Sequence, residues 1–90
     1  MRHPRDWEPA LDYLTSGLRE LPLSVDLLYN YACINEKLGR PYIALKFFEH
    51  ARELRPRWTD ALFGEAVTYF KLGNYRKSQE SISLAISNFK

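Results

Sequence analysis

The sequence predicts an all-α protein in which antiparallel pairs of helices recur along one continuous domain. Three observations predict this fold. The chain aligns with itself at a shift of 34 residues, apolar residues recur at a spacing of three and four, and a glycine and a proline return at matched places. That apolar spacing lies on one face of a helix, whereas Gly and Pro end helices. We therefore expect five helices.

The self-alignment is the strongest signal in the chain. Ten residue pairs separated by 34 positions are identical, where roughly three or four are expected from average amino-acid usage. They are small, apolar or backbone-special residues, which a repeated packing geometry requires. The pairs are Ala10/Ala44, Leu11/Leu45, Pro22/Pro56, Asp26/Asp60, Leu28/Leu62, Ala32/Ala66, Lys37/Lys71, Leu38/Leu72, Gly39/Gly73 and Ala51/Ala85.

The first predicted helix lies within residues 1–24 and has no partner helix before it. Asp6 can cap its start, and Pro22 ends it. We interpret this segment as half a repeat, consisting of a second helix only. Its apolar face is formed by Ala10, Leu11, Leu14 and Leu18.

Residues 25–58 predict a complete helix pair. Ser24 can cap the first helix, and Gly39 ends it by adopting a left-handed conformation at little cost. Pro41 suits the first turn of the second helix, and Pro56 stops that helix. The apolar faces are Leu27, Leu28, Tyr31, Ala32 and Leu38 in the first helix and Ala44, Leu45, Phe48, Ala51 and Leu54 in the second.

Residues 59–90 repeat this plan, with a stop at Gly73 and a cap at Asn74. The apolar faces are Ala61, Leu62, Ala66, Tyr69 and Leu72 in the first helix and Ile82, Ala85 and Ile86 in the second. Repeat arrays normally end in a polar helix. Ile82, Ile86 and Phe89 make this end apolar, so we expect either an excerpt of a longer array or self-association through uncapped ends.

These residues resemble the tetratricopeptide repeat (TPR) family. Counted from Val25, the family's small, glycine, aromatic and proline positions hold Ala32, Gly39, Ala44, Phe48, Ala51 and Pro56. The repeat from Thr59 matches with Ala66, Tyr69, Gly73, Tyr75 and Ala85. The chain departs from the family pattern at Gly17, Asn35, Glu65 and Ser78. The resemblance implies a right-handed superhelix whose first helices line a concave face.

The resemblance also implies which residues face a ligand. In the first complete repeat these are Asp26, Tyr29, Asn30, Cys33, Glu36 and Lys37. In the second repeat they are Asp60, Phe63, Gly64, Val67, Phe70 and Lys71, and Trp58 occupies a further exposed position. The expected partner is a peptide or an amphipathic helix of another protein.

One part of this set is informative without the family. Phe63, Val67 and Phe70 form an apolar row on a helix that already has a complete core face, and a helix with two apolar sides is usually covered on both. The row either packs on neighbouring helices of the chain or accepts a partner. Asp26 and Asp60 would form one rim of a groove, and Lys37 and Lys71 the other.

Several other functions are disfavoured. An acidic chaperone tail would be repelled by Asp60, where the corresponding clamp needs a cation. The acidic Asp26 and Asp60 and the strict spacing argue against an RNA-binding helical repeat. A structural piece buried permanently in a large assembly remains the alternative to a peptide-binding scaffold.

Composition and charge limit the possible functions further. A net charge of +2 with 27% charged residues predicts no nucleic-acid surface, and no apolar run suits membrane insertion. His3, His50 and Cys33 match no metal pattern, and no catalytic arrangement is present, so we expect neither enzyme nor cofactor. One cysteine excludes an internal disulfide, which favours an intracellular, by default cytoplasmic, location.

Overall fold

The computed structural model describes residues 8–88. This range contains five α-helices and no strand: α1 (Glu8–Glu20), α2 (Val25–Lys37), α3 (Pro41–Leu54), α4 (Thr59–Lys71) and α5 (Tyr75–Ser87). Consecutive helices pack on each other in chain order, and α2 also contacts α4. The predicted all-α array of helix pairs is confirmed. Three residues of the sequence interpretation lie outside the described residues: His3, the cap Asp6 and the apolar Phe89.

The two helix pairs turn at equivalent bends. Gly39 has a φ of 77° and Gly73 a φ of 81°, the left-handed region that side chains other than Gly rarely adopt. At each bend the N–H that follows the glycine returns to a carbonyl five residues earlier, which satisfies the end of the helix. These bonds are Arg40 N to Asn35 O and Asn74 N to Tyr69 O, each 2.9 Å long.

Three of the predicted helix starts are also confirmed. The Ser24 hydroxyl accepts a hydrogen bond from the backbone N–H of Leu27, and the Asn74 side chain accepts one from the N–H of Lys77. Pro41 is the first residue of α3. Each device satisfies or removes an N–H that the helix itself leaves unpaired.

The predicted apolar faces form the core, apart from positions near the ends. Ala32, Ala44 and Phe48 make one buried cluster between α2 and α3, and a second cluster joins Leu28, Ala51 and Ala61. Exposure remains high at three residues of the predicted faces. They are Leu54 at 41%, Ile82 at 38% and Ile86 at 54%.

Polar residues at positions where the family is usually apolar are buried. The Ser78 hydroxyl donates to the carbonyl of Ala66 at 2.8 Å, so a serine fills the place of an alanine without an unpaired group. The Asn35 side chain is completely buried and donates to the carbonyl of Tyr31 at 2.9 Å. Its oxygen has no hydrogen-bond partner within residues 8–88.

Glu65 joins three helices. Its carboxylate accepts a hydrogen bond from Arg52 Nε of α3 at 2.6 Å and one from the Ser81 hydroxyl of α5 at 3.4 Å. The Glu65 side chain is 3% exposed and the Arg52 side chain 34%, so the loss of solvation falls mainly on the acid. Burial consequently raises the pKa of Glu65 above its usual value, and the Arg52 contact offsets this only in part.

Gly64 sets how closely α4 lies over α3. A Cβ atom at this position would lie 2.7 Å from Cζ and 2.8 Å from Cδ1 of Phe48, and closer still to Cε1. The Phe48 ring is 2% exposed and has little room to move. A Cβ atom at Gly17 of α1, by contrast, would meet only the flexible end of Leu27 at 3.1 Å.

We expect Gly64→Ala to destabilise the protein and Gly17→Ala to leave it unchanged or more stable. Both changes gain helix propensity of up to about 1 kcal/mol, but the first overpacks a buried ring, which costs about 1–3 kcal/mol. Chemical denaturation followed by circular dichroism measures both free energies of unfolding. Equal effects of the two substitutions would show that α4 does not approach Phe48 this closely.

We expect a pH-dependent difference in stability between the wild type and Glu65→Gln. An acid with a raised pKa binds its proton more readily in the folded than in the unfolded chain, so its contribution to stability grows as the pH falls. As the pH falls from about 7 to about 5, the free energy of unfolding of the wild type should therefore rise relative to that of Glu65→Gln. A difference that does not vary with pH, or that moves the other way, would contradict the raised pKa.

Candidate partner-binding groove

A depression of about 320 Å³ lies between α2 and α4. We call it the groove and define it by its nine lining residues. They are Tyr29, Cys33, Glu36 and Lys37 of α2, Phe48 of α3, and Asp60, Phe63, Gly64 and Val67 of α4. All except Phe48 belong to the predicted ligand-facing set, and helical spacing explains their grouping, because residues three and four apart share a face.

The other predicted residues lie elsewhere. Asp26 and Asn30 are exposed on α2 and do not line the groove. Trp58 precedes α4 and packs against the buried Leu28 cluster. The centroid of its ring lies 4.8 Å from the centroid of the Tyr29 ring. The Arg55 guanidinium lies 4.9 Å from the Trp58 ring. These contacts give Trp58 a role in holding the start of α4.

The apolar row of α4 is exposed. Phe63, Val67 and Phe70 are 40%, 49% and 61% exposed, respectively. Phe63 and Val67 line the groove, whereas Phe70 lies towards α5, where its ring meets that of Tyr75 edge-on at 5.1 Å. Large apolar side chains in a continuous exposed row are typical of surfaces that bind another molecule.

A second depression, of about 220 Å³, lies between α4 and α5. We call it the α4–α5 face. It is lined by Phe63, Ala66, Val67, Phe70, Lys71, Ser78 and Ile82. Sequence reasoning assigned Ala66 and Ile82 to core faces and named Ser78 only as a departure from the family pattern, so it did not place them at a surface depression. The signal available was the apolar character of the last helix, which had suggested an uncovered end.

The charges at the groove are unevenly balanced. Lys71 of α4, a predicted rim residue, forms a salt bridge with Glu36 of α2, a predicted ligand-facing residue, so these two charges neutralise each other. This bridge joins the last turns of the two helices. Lys37 therefore lies at the same end of the groove, and Asp60, in the first turn of α4, lies at the other. Both of these side chains are exposed.

The inner wall on α2 is uncharged at neutral pH. Burial raises the pKa of Tyr29 to about 12 and raises the pKa of the Cys33 thiol above its ordinary 9.0. The neighbouring Tyr29 hydroxyl lowers the pKa of the Cys33 thiol but does not cancel the effect of burial. Facing Phe63 and Val67, this wall makes an apolar cleft with charges confined to its ends.

Two further features of residues 8–88 bear on function. They contain no cluster of three or more His, Cys, Asp or Glu side chains placed to hold a metal ion. None of the described helices has the length and apolar character needed to cross a bilayer.

We expect the Cys33 thiol to be alkylated more slowly at neutral pH than an ordinary thiol, because only the thiolate reacts and its pKa is raised. In the folded chain the midpoint of the pH–rate profile with iodoacetamide should lie above 9.0, and Tyr29→Phe should raise it further. The guanidinium-unfolded chain, which has no other cysteine, is the control. A folded-state midpoint at or below the unfolded one would contradict the buried, uncharged wall.

Comparison with known proteins identifies the fold family. A family model described as tetratricopeptide repeat matches residues 25–57 and 59–88, which together make up more than half of the chain. A search of curated proteins gave no significant match. Proteins built from these repeats generally bind other proteins, and the family is typically non-catalytic. The match, the helix pairs and their glycine bends agree, and the chain belongs to the tetratricopeptide repeat family.

Proposed function

We propose that this protein is a scaffold module that binds a peptide or helix of a partner protein in the groove between α2 and α4. The observation that carries the proposal is the pairing of exposed Phe63 and Val67 with the uncharged wall of Tyr29 and Cys33 across one depression. Binding of an apolar segment in an apolar cleft that is open to solvent is favourable, because both apolar surfaces are removed from water. The units that form it are the repeats at 25–58 and 59–90.

The dimensions favour side chains of a longer segment over a whole small molecule. The groove volume of about 320 Å³ is at the lower end of the roughly 300–1,000 Å³ of small-molecule sites. Phe48 closes it from below and is almost completely buried. One or two apolar side chains can therefore enter, while the backbone that carries them lies along α2 and α4.

The charges give the segment a direction. Lys37 and Asp60 lie at opposite ends of the groove, and both are exposed. A partner with an acidic residue near Lys37 and a basic residue near Asp60 is favoured over the reversed order, because each reversed contact is repulsive. Glu36 and Lys71 already neutralise each other and contribute little to this choice.

We expect peptides selected from a displayed random library against the intact chain to carry apolar anchors that enter the groove. Phe63→Ala with Val67→Ala should weaken a selected peptide about 30-fold, which corresponds to about 2 kcal/mol. Leu84→Ala is the matched control, since Leu84 is 53% exposed but lines neither depression. Isothermal titration calorimetry measures the affinities, and circular dichroism verifies the helices.

A second experiment locates the bound peptide on the surface of the protein. Cys33 is the chain's one cysteine, so maleimide modification fills the groove at a single known point. Modification should abolish binding of the selected peptide. If the peptide keeps its affinity both for the Phe63→Ala/Val67→Ala variant and for the maleimide-modified chain, the proposal that it binds in the groove is refuted. Failure to select any reversible ligand would favour the alternative, a piece permanently buried in an assembly.

A further inference from the structure

The two glycine bends lie at the same end of the molecule. Consecutive helices run in opposite directions, so the α2–α3 and α4–α5 turns share one end of the array. The salt bridge between Glu36 and Lys71 joins the helix ends that lead into these two turns. We call this end the bend edge and define it as residues 34–44 and 68–78. Helices pack through their sides, so packing against α1 or α5 leaves the helix ends at this edge accessible.

The bend edge carries more positive than negative charge. Its five cations are all exposed, and they are Lys37, Arg40, Lys71, Arg76 and Lys77. Glu36 is the one acid within the two ranges, and it is bridged to Lys71. The other four cations form no salt bridge within residues 8–88, although Glu80 lies on the next turn of α5. The positive charge of this edge is therefore largely unneutralised.

The opposite edge, residues 17–28 and 51–62, is balanced in charge. Its four cations, Arg19, Arg52, Arg55 and Arg57, are matched by four acids, Glu20, Asp26, Glu53 and Asp60. The whole chain has a net charge of +2, so the residues outside the bend edge are acidic overall. In the sequence the cations alternate with acids, and folding brings them together at one edge. The composition alone therefore gives no sign of this surface.

Three of these cations lie where they oppose helix stability. Arg40 directly precedes α3 and gives it no side-chain cap, and Arg76 and Lys77 lie in the first turn of α5. The start of a helix carries partial positive charge and is stabilised by acids. The helices that begin at the opposite edge follow this rule, with Asp26 in α2 and Asp60 in α4. Residues that lower stability are expected where they serve a function.

Exposed tyrosines accompany the cations. Tyr42 in the first turn of α3 is 75% exposed, and Tyr75 at the start of α5 is 62% exposed. Tyr and Arg are the side chains that protein interfaces use most often as anchors, because both combine a large contact area with polar groups. The bend edge therefore offers apolar contact area between positive charges.

We propose that the bend edge binds an acidic segment of a partner protein, in which Asp or Glu residues alternate with apolar ones. The acids pair with Arg40, Arg76 and Lys77, and the apolar side chains pack on Tyr42 and Tyr75. Repeats of this family generally bind proteins. The proposal goes beyond the groove, which shares only Glu36 and Lys37 with this edge.

Other anionic occupants fit this edge less well. A nucleic acid carries charge along its whole length and would extend from the edge over a remainder that is acidic overall. An anionic membrane would contact the whole end of the molecule, including the exposed Glu8 in the first turn of α1. A second copy offers either the same cations or the balanced opposite edge, and neither is complementary in charge.

Two charge-reversal variants of the intact chain test the proposal. Arg40→Asp with Arg76→Glu changes the bend edge, and Arg19→Glu with Arg57→Asp makes the same change in net charge at the opposite edge. All four residues are exposed. The probe is a labelled peptide of glutamates with interspersed phenylalanines, and fluorescence anisotropy measures its binding. The first variant should weaken binding at least about tenfold and the second less than about twofold.

Thermal unfolding followed by circular dichroism separates a binding role of the cations from a structural one. Arg40→Asp with Arg76→Glu places acids at two helix starts, so the Tm should rise while the affinity falls. A fall in both would show that the two arginines support the fold, which would contradict the proposal. The same measurement verifies that the control variant is folded.

Four further results would overturn the inference. They are no binding of the peptide to the wild type, equal loss of affinity in the two variants, loss of binding after maleimide modification of Cys33, and dimerisation in sedimentation that the first variant abolishes. The third result would place the peptide in the groove. Tighter binding of oligouridylate or of phosphatidylserine vesicles, lost in the first variant, would assign the edge to a nucleic acid or a membrane and equally reject an acidic protein segment.

Discussion

The position of α4 on α3 and beside α2 depends on the contact between Gly64 and Phe48. Because Gly64 has no side chain, α4 lies directly on a buried aromatic ring of α3. That approach places Phe63 and Val67 opposite Tyr29 and thereby makes the groove. The ion pairs from α4 reach Arg52 of α3 and Glu36 of α2. The width of the groove and the positions of its charges therefore follow from how closely α4 packs on α3 beside α2.

Much of the fold could be predicted from the sequence because its signals are local. Gly39, Gly73, Ser24 and Asn74 act within a few residues of their own position, and each acts as predicted. Grouping of the groove residues follows from helical spacing once the turns are known. Side chains that depend on the tilt of neighbouring helices could not be placed in this way. Trp58, for example, packs on the Leu28 cluster.

The polar residues at apolar positions show a second limit of sequence reasoning. Glu65 could be recognised as unusual from the repeat pattern alone, but its partners Arg52 and Ser81 are 13 and 16 residues away on different helices. Whether a buried carboxylate destabilises a fold depends on such long-range contacts. Ser78 illustrates the simpler case of an uncharged group. Its hydroxyl needs only one acceptor, and the backbone carbonyl of Ala66 in α4 supplies it.

The two ion pairs of α4 also bear on the register of the fold. A repeat protein presents nearly the same surface twice, so a helix has two places where its apolar side could dock. Glu65 and Lys71 find Arg52 and Glu36 on the first surface, whereas the equivalent residues of the second are apolar. A buried ion pair adds little net stability over a well-packed apolar pair, but an unpaired buried charge is strongly unfavourable. The buried Glu65 charge therefore acts mainly by making the wrong surface unfavourable for α4, whereas Lys71, whose side chain is 56% exposed, contributes little to this choice.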